Sequence, residues 1–100
     1  MNRSFATAIG RPVDTKYQSV AFTATAARTT NGISDQIYKV ALIATEDCHI
    51  RFGSGTPTAL TTDFFLPKNN LVMFPIVPGE KISAIRNSAD GTLHVSEMDN

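Results

Sequence analysis

The stretch DCHIRFGSGTPT, residues 47–58, sets a cysteine beside a histidine and follows them with two glycines in a Thr/Ser-rich loop. Three readings compete: a nucleophile with its base, a phosphate cradle, or a strand that runs into a turn. Alternation favours the strand. Cys48, Ile50 and Phe52 share one side of an extended chain and His49 and Arg51 the other, because successive side chains of a strand point to opposite faces. Thiol and imidazole therefore cannot pair within this segment. Gly53-Ser54-Gly55 matches the first half of a dinucleotide-binding fingerprint, but Thr58 stands where the third glycine belongs. A strand, not a helix, is expected beyond it, so the loop lacks a helix N-terminus with its dipole and its amide donors. The Gly-Lys-Ser/Thr of a phosphate-binding P-loop is missing as well. The bland reading is a flexible connection between two strands of a hairpin.

Working outward, the same period-two pattern recurs. QSVAFTATA (18–26) places Val20, Phe22 and Ala24 on one face. Four alanines over 20–28 would also permit a helix, and Thr23 and Thr25 weigh for a strand. Asn31-Gly32 supplies turn chemistry. QIYKVALIAT (36–45) aligns Tyr38, Val40, Leu42 and Ala44, and its other face is also mostly apolar, as for a central strand or one covered by a neighbouring subunit. Phe64-Phe65-Leu66 ends at Pro67. LVMFPIV (71–77) is a strand whose Pro75 removes a ladder donor and so belongs at an edge or a bulge. KISAIR (81–86) and TLHVSEM (92–98) close the series, joined across Asp90-Gly91, a strong hairpin signal. Six or seven short strands at this spacing indicate an all-β fold, a small antiparallel β-sandwich or jelly-roll-like barrel. Residues 1–17 are aperiodic and read as an extended N-terminal arm, leaving 18–100 as the single domain.

One hundred residues hold one core. Nine basic side chains balance nine acidic ones, and the two halves are similarly neutral, so the basic stripe that phosphate backbones demand is missing and nucleic acid is not an expected partner. A single cysteine rules out an intramolecular disulfide and a Cys-based zinc site. No apolar run approaches the ~20 residues that span a bilayer, and the start does not read as a signal peptide. A soluble protein made in a cytosol is expected, with no membrane partner.

Candidate chemistry is thin. A Cys48–His94 dyad requires both residues to face one way in adjacent strands. Glu46, Asp47 and His49 offer three donors, yet on a strand end they diverge. The acids Glu46, Asp47, Asp63, Glu80, Asp90, Glu97 and Asp99 fall in expected turns or near strand ends, where solvated acids belong. No catalytic residue, cofactor or metal is assigned, and an enzyme is not expected. Assembly fits better. Adjacent Phe64 and Phe65 cannot both point inward, and Ile37 and Ile43 lie on the second apolar face of their strand; with Phe5, Ile9 and Val13, spaced by four along the arm, they are the candidate protein-interface residues.

The order of motifs from 40 to 98 points the same way: VALIATEDCHIRFG, a Thr-rich loop, then FFLPKNNLVMFPIVPGEKISAIRNSADGTLHVSEM. It resembles that of small tailed-bacteriophage virion proteins, the β-sandwiches that decorate or cement the capsid or sit at the head–tail junction. The resemblance covers about 60 of the 100 residues and rests on strand and turn signatures. It implies a virion structural protein, made in the host cytoplasm, that binds the major capsid protein or another virion protein as a homo-oligomer, a trimer being favoured. A neck or tail accessory protein is the alternative within that class. From another class comes a carbohydrate- or ligand-binding β-sandwich with loops 53–63 and 87–91 as its rim, which the lack of Trp and the presence of only two Tyr disfavour.

Overall fold

A computed structural model describes residues 11–99 of the chain. These form eight strands: β1 (Arg11–Phe22), β2 (Ala27–Arg28), β3 (Lys39–Ala44), β4 (Cys48–Gly53), β5 (Phe64–Leu66), β6 (Val72–Pro75), β7 (Lys81–Arg86) and β8 (Gly91–Asp99). They make two antiparallel four-stranded sheets, ordered β1-β8-β3-β6 and β2-β7-β4-β5.

One rule generates both orders. Arg11 pairs with Asp99, Ala27 with Ala84, Lys39 with Pro75 and Cys48 with Leu66. The two members of every pair lie nearly equidistant in sequence from residues 55–57. The chain is thus doubled into one long antiparallel hairpin whose tip is the glycine loop, where Gly55 adopts φ 78°. Rolling that hairpin brings β3 against β8 and β4 against β7. This winding is a jelly roll.

The expected β7–β8 hairpin is overturned by it. β7 and β8 lie in different sheets, and the connection at 87–90 crosses between them. Asp90-Gly91 looked like hairpin chemistry, but Gly91 answers a different need. A Cβ there would meet Phe22 Cζ at 2.8 Å and Thr45 Oγ1 at 2.9 Å, so glycine permits a close approach beneath the β3–β4 turn.

The first strand also differs. It begins at Arg11, so 11–17, read from sequence as arm, form the first part of β1; residues 1–10 lie outside the described residues. β1 is an edge strand with most of its first nine residues exposed, so no alternation marked it. It stops at Phe22, with 23–26 a turn rather than further strand or helix, and the two-residue β2 was too short for any period. Pro75 sits on β6, an edge strand, as its missing donor requires.

Alternation fills the space between the sheets. Val20 and Phe22 of β1, Val40 and Leu42 of β3, Leu93 and Val95 of β8 meet Cys48 and Ile50 of β4, Ile82 and Ala84 of β7 and Leu66 of β5, all buried. Where the loop before β3 passes the turn before β7, Ile33 N–H donates to Glu80 O and Gly79 N–H to Ile33 O, at 2.9 and 2.7 Å. Gly32 lies at this crossing, and a Cβ on it would stand 2.5 Å from the Gly79 carbonyl oxygen. Backbone cannot rotate away as a side chain can. Gly32→Ala should therefore cost about 1–3 kcal/mol of stability. Urea unfolding with an unchanged m-value checks this, and a midpoint equal to that of the wild type would contradict it.

Candidate functional site

The sandwich has two outer faces, and they are treated differently. On the β2-β7-β4-β5 sheet, the 54–63 segment folds back across the outside. Arg28 Nε donates to Pro57 O at 3.0 Å. Ser83, buried on the outer side of β7, accepts from Ala59 N–H (2.9 Å) and donates to Ala27 O (3.0 Å). Arg51 grips Asp63 with two bonds, Nε to Oδ2 at 2.9 Å and Nη2 to Oδ1 at 3.0 Å, and Leu60 N–H donates to the same carboxylate at 2.8 Å. The glycine loop is therefore a pinned cover, not the flexible connection read from sequence. Nothing in composition marked it, because its anchors are spread over β2, β4 and β7.

Among the described residues, no segment covers the opposite sheet in this way. Its outward side chains include Ser19 and Ala21 of β1, His94 of β8, Ala41 and Ile43 of β3 and Met73 of β6. Lys39 is the only formally charged side chain among the described strand residues that the pairing register places on this face. Tyr17 lies over His94, ring planes 19° apart, with its hydroxyl bonded to Nδ1. Ala21, Ala41, Ile43 and Met73 give this side apolar positions where a water-facing sheet normally alternates apolar-in with polar-out.

Beside this face runs an open seam where edge strands β5 and β6 stand across from each other. Phe64 of β5 points inward like Leu66 but at the rim, and its ring meets Phe74 of β6 edge-on at 5.5 Å; Phe74 in turn meets Phe52 at 5.3 Å. Phe64 stays 54% exposed and Phe65 43%, the latter tilted against His49 on the other side of β5. Leu71 and Val77, flanking β6, are also exposed.

Of the sequence candidates, Phe64, Phe65 and Ile43 thus stand at or near uncovered surface. Ile37 is corrected: it belongs to the buried core cluster and presents nothing to a partner. Val13 is partly buried and packs against that cluster from the start of β1. Phe5 and Ile9 lie outside the described residues.

The cysteine and the histidines are separated as alternation requires. Cys48 is buried between the sheets, where loss of water and then the Asp47 charge push its thiol up to about 12. His49 points outward, with Nδ1 3.0 Å from Asp63 O and Nε2 3.1 Å from the Asn87 side-chain amide, so it braces the cover. His94 lies on the outside of the other sheet, across the core from Cys48. Among the described residues no group of three His, Cys, Asp or Glu is placed to hold a metal. The loops at 53–63 and 87–91 leave the β4–β7 pair at opposite ends, and the first folds back so that His49 bridges its Asp63 to Asn87 of the second.

One acid is not solvated. Glu97 follows Leu93 and Val95 on the inner side of β8, 3% exposed, so its placement among surface acids is corrected. The signal was in TLHVSEM itself, whose alternation carries the inward face through to Glu97. Opposite it the β1–β8 register shifts: Pro12 pairs with Met98 and Tyr17 with Ser96, and residues 13–16 arch out as a bulge with Thr15 at φ 61°.

Comparison with protein-family models, with curated proteins and with solved structures returns no match.

Two outcomes test this geometry. Cys48 should resist a thiol reagent in the native protein at pH 8 and react at once in denaturant; rapid labelling of the folded chain would contradict its placement. Asp63, held below its ordinary value of 3.8 by the Arg51 side-chain bonds and then by the Leu60 amide, adds stability in full above that value. The contribution is lost as pH falls through the lowered folded value. The stability gap between wild type and Asp63→Asn should hold from neutral pH down to about 4 and close in stronger acid; a gap independent of pH would refute the assignment.

Proposed function

We propose that this protein is an assembly subunit, a small jelly roll that holds other protein subunits together by surface complementarity, of the capsid-cement kind its motif order resembles. The observation that carries the reading is a sheet face that no described segment covers and whose paired residues bring a single charge, next to a rim of half-exposed phenylalanine. Four strands at ~4.8 Å spacing and lengths near 25 Å give a face on the order of 500 Å². One partner in a standard interface contributes about 800 Å². The face alone falls short of that, and in a head-to-tail ring each subunit buries both patches, the face in one contact and the Phe64–Leu71 seam in the other.

The two patches lie on adjoining sides of the molecule and differ in shape. A flat face and a ridged seam fit each other better than either fits itself, which favours head-to-tail contact. Such contacts close into rings when the rotation permits. A homotrimer is the expected ring, and the remaining edge, β1, stays available to a virion partner such as the major capsid protein. A neck or tail location would use the same surfaces. Binding of this sort requires no reacting group; apolar burial at about 25 cal/mol per Å², offset by ordering costs, supplies the attachment.

Light scattering after size exclusion should find a trimer for the wild type. Ile43→Glu buries a charge in the contact and should give a monomer with unchanged circular dichroism. A wild type that stays monomeric at the highest soluble concentration would overturn the reading.

A further inference from the structure

Glu97 is the one buried side chain among the described residues with an oxygen that nothing satisfies. Its Oε2 accepts from Ser34 N–H at 3.3 Å, and its Oε1 is buried without a partner. A carboxylate out of water is costly unless a donor, preferably a charged one, completes its bonds. Next to it lies a pocket of about 140 Å³, framed by Thr15 and Lys16 of the bulge, Gln18 of β1, and Asn31 and Ser34 of the β2–β3 loop. Two of these groups are already engaged. The Gln18 amide donates to Asn31 O and accepts from Asn31 N–H, both at 3.0 Å, and Thr15 Oγ1 donates to Asp14 O.

We propose that this pocket is an anchor site for a cationic side chain, arginine or lysine, supplied by the protein partner. The chemistry of the lining selects that class. An anion would be repelled by Glu97. A divalent ion takes several carboxylates or carbonyls, and here one carboxylate stands without a second His, Cys, Asp or Glu in the lining. A guanidinium or ammonium brings what is missing: positive charge and several N–H donors that reach a carboxylate and the Ser34 hydroxyl together. Lys16 is the only cation in the lining, and it is exposed at the rim, where water and salt screen its charge. It shields the pocket in the free protein and gives way to the inserted group. The site rests on the assembly reading for the partner being a protein, while its chemistry can be probed without one.

The test is an NMR titration of the ¹⁵N-labelled full chain with ethylguanidinium chloride, following the Ser34 amide that is bonded to Glu97. Sodium chloride at equal ionic strength, urea as a neutral group of similar shape, and calcium chloride serve as the other arms. A saturable Ser34 shift with ethylguanidinium alone is expected, at least tenfold weaker in Glu97→Gln and severalfold tighter in Lys16→Ala. A response that tracks salt, an equal response to urea or calcium, or no saturable shift overturns the proposal. Lys16 is exposed, so Lys16→Ala keeps the test open should Glu97→Gln fail to fold; unchanged affinity in Lys16→Ala also counts against it. Light scattering on the same sample separates the two readings, since a strict monomer with a saturable shift sinks the ring but not the anchor, and a trimer without the shift does the reverse.

Discussion

Antiparallel pairing about residues 55–57 is the constraint from which the rest of this molecule follows. Once β4 and β5 pair across the glycine loop, every earlier strand meets its partner at a matching distance on the other arm, and the doubled chain has only to roll to bury its apolar side. The roll brings Leu42 opposite Val95 and Ile50 opposite Ala84. A slip of one residue in any pair would turn that strand's core side chains to water, so the hydrophobic pattern and the register enforce each other. The irregular place in the β1–β8 ladder is the 13–16 bulge, and it sits opposite the buried acid Glu97.

Covering is asymmetric, and that asymmetry gives the surface its character. Arg28, Arg51, His49 and Ser83 are spent on holding the 54–63 segment against one sheet. On the other sheet the outward Ser19, Ala41, Ile43 and Met73 hold no segment among the described residues. Charged side chains are engaged in holding the cover on one side and are sparse on the other, whose polar positions are Tyr17, Ser19, Lys39, Thr92, His94 and Ser96. The sheet edges are guarded more conventionally: β5 is three residues long and β6 carries Pro75, which limits open-ended strand addition at that rim. Apolar contact there runs through side chains rather than through a continued ladder.

Tertiary context also sets the chemistry of the titratable groups. The same strand holds a thiol that burial makes hard to ionise and an imidazole that braces a loop, one residue apart. The Arg51–Asp63 fork, two bonds on one carboxylate, works as a clip on the cover. The polar groups with buried or bidentate bonds thus act in holding segments in place.

Period-two alternation in the sequence was enough to establish an all-β chain, β4 and β7 almost to the residue, and the divergence of Cys48 from His49, while the missing donor of Pro75 left an edge or a bulge. It also held the inward position of Glu97 in TLHVSEM and the surface position of Phe65. These are local consequences of the pleat, which a short window of residues expresses. What it did not hold was which sheet each strand joins. Asp90-Gly91 looks like a hairpin turn because turn chemistry is local, whereas passing from one sheet to the other depends on the space left by strands far away in sequence. The exposed first half of β1, the two-residue β2, the pinned 54–63 cover and the burial of Ile37 are likewise set by partners distant along the chain. Only the rolled hairpin brings those partners together, and only it leaves one face closed and the other open.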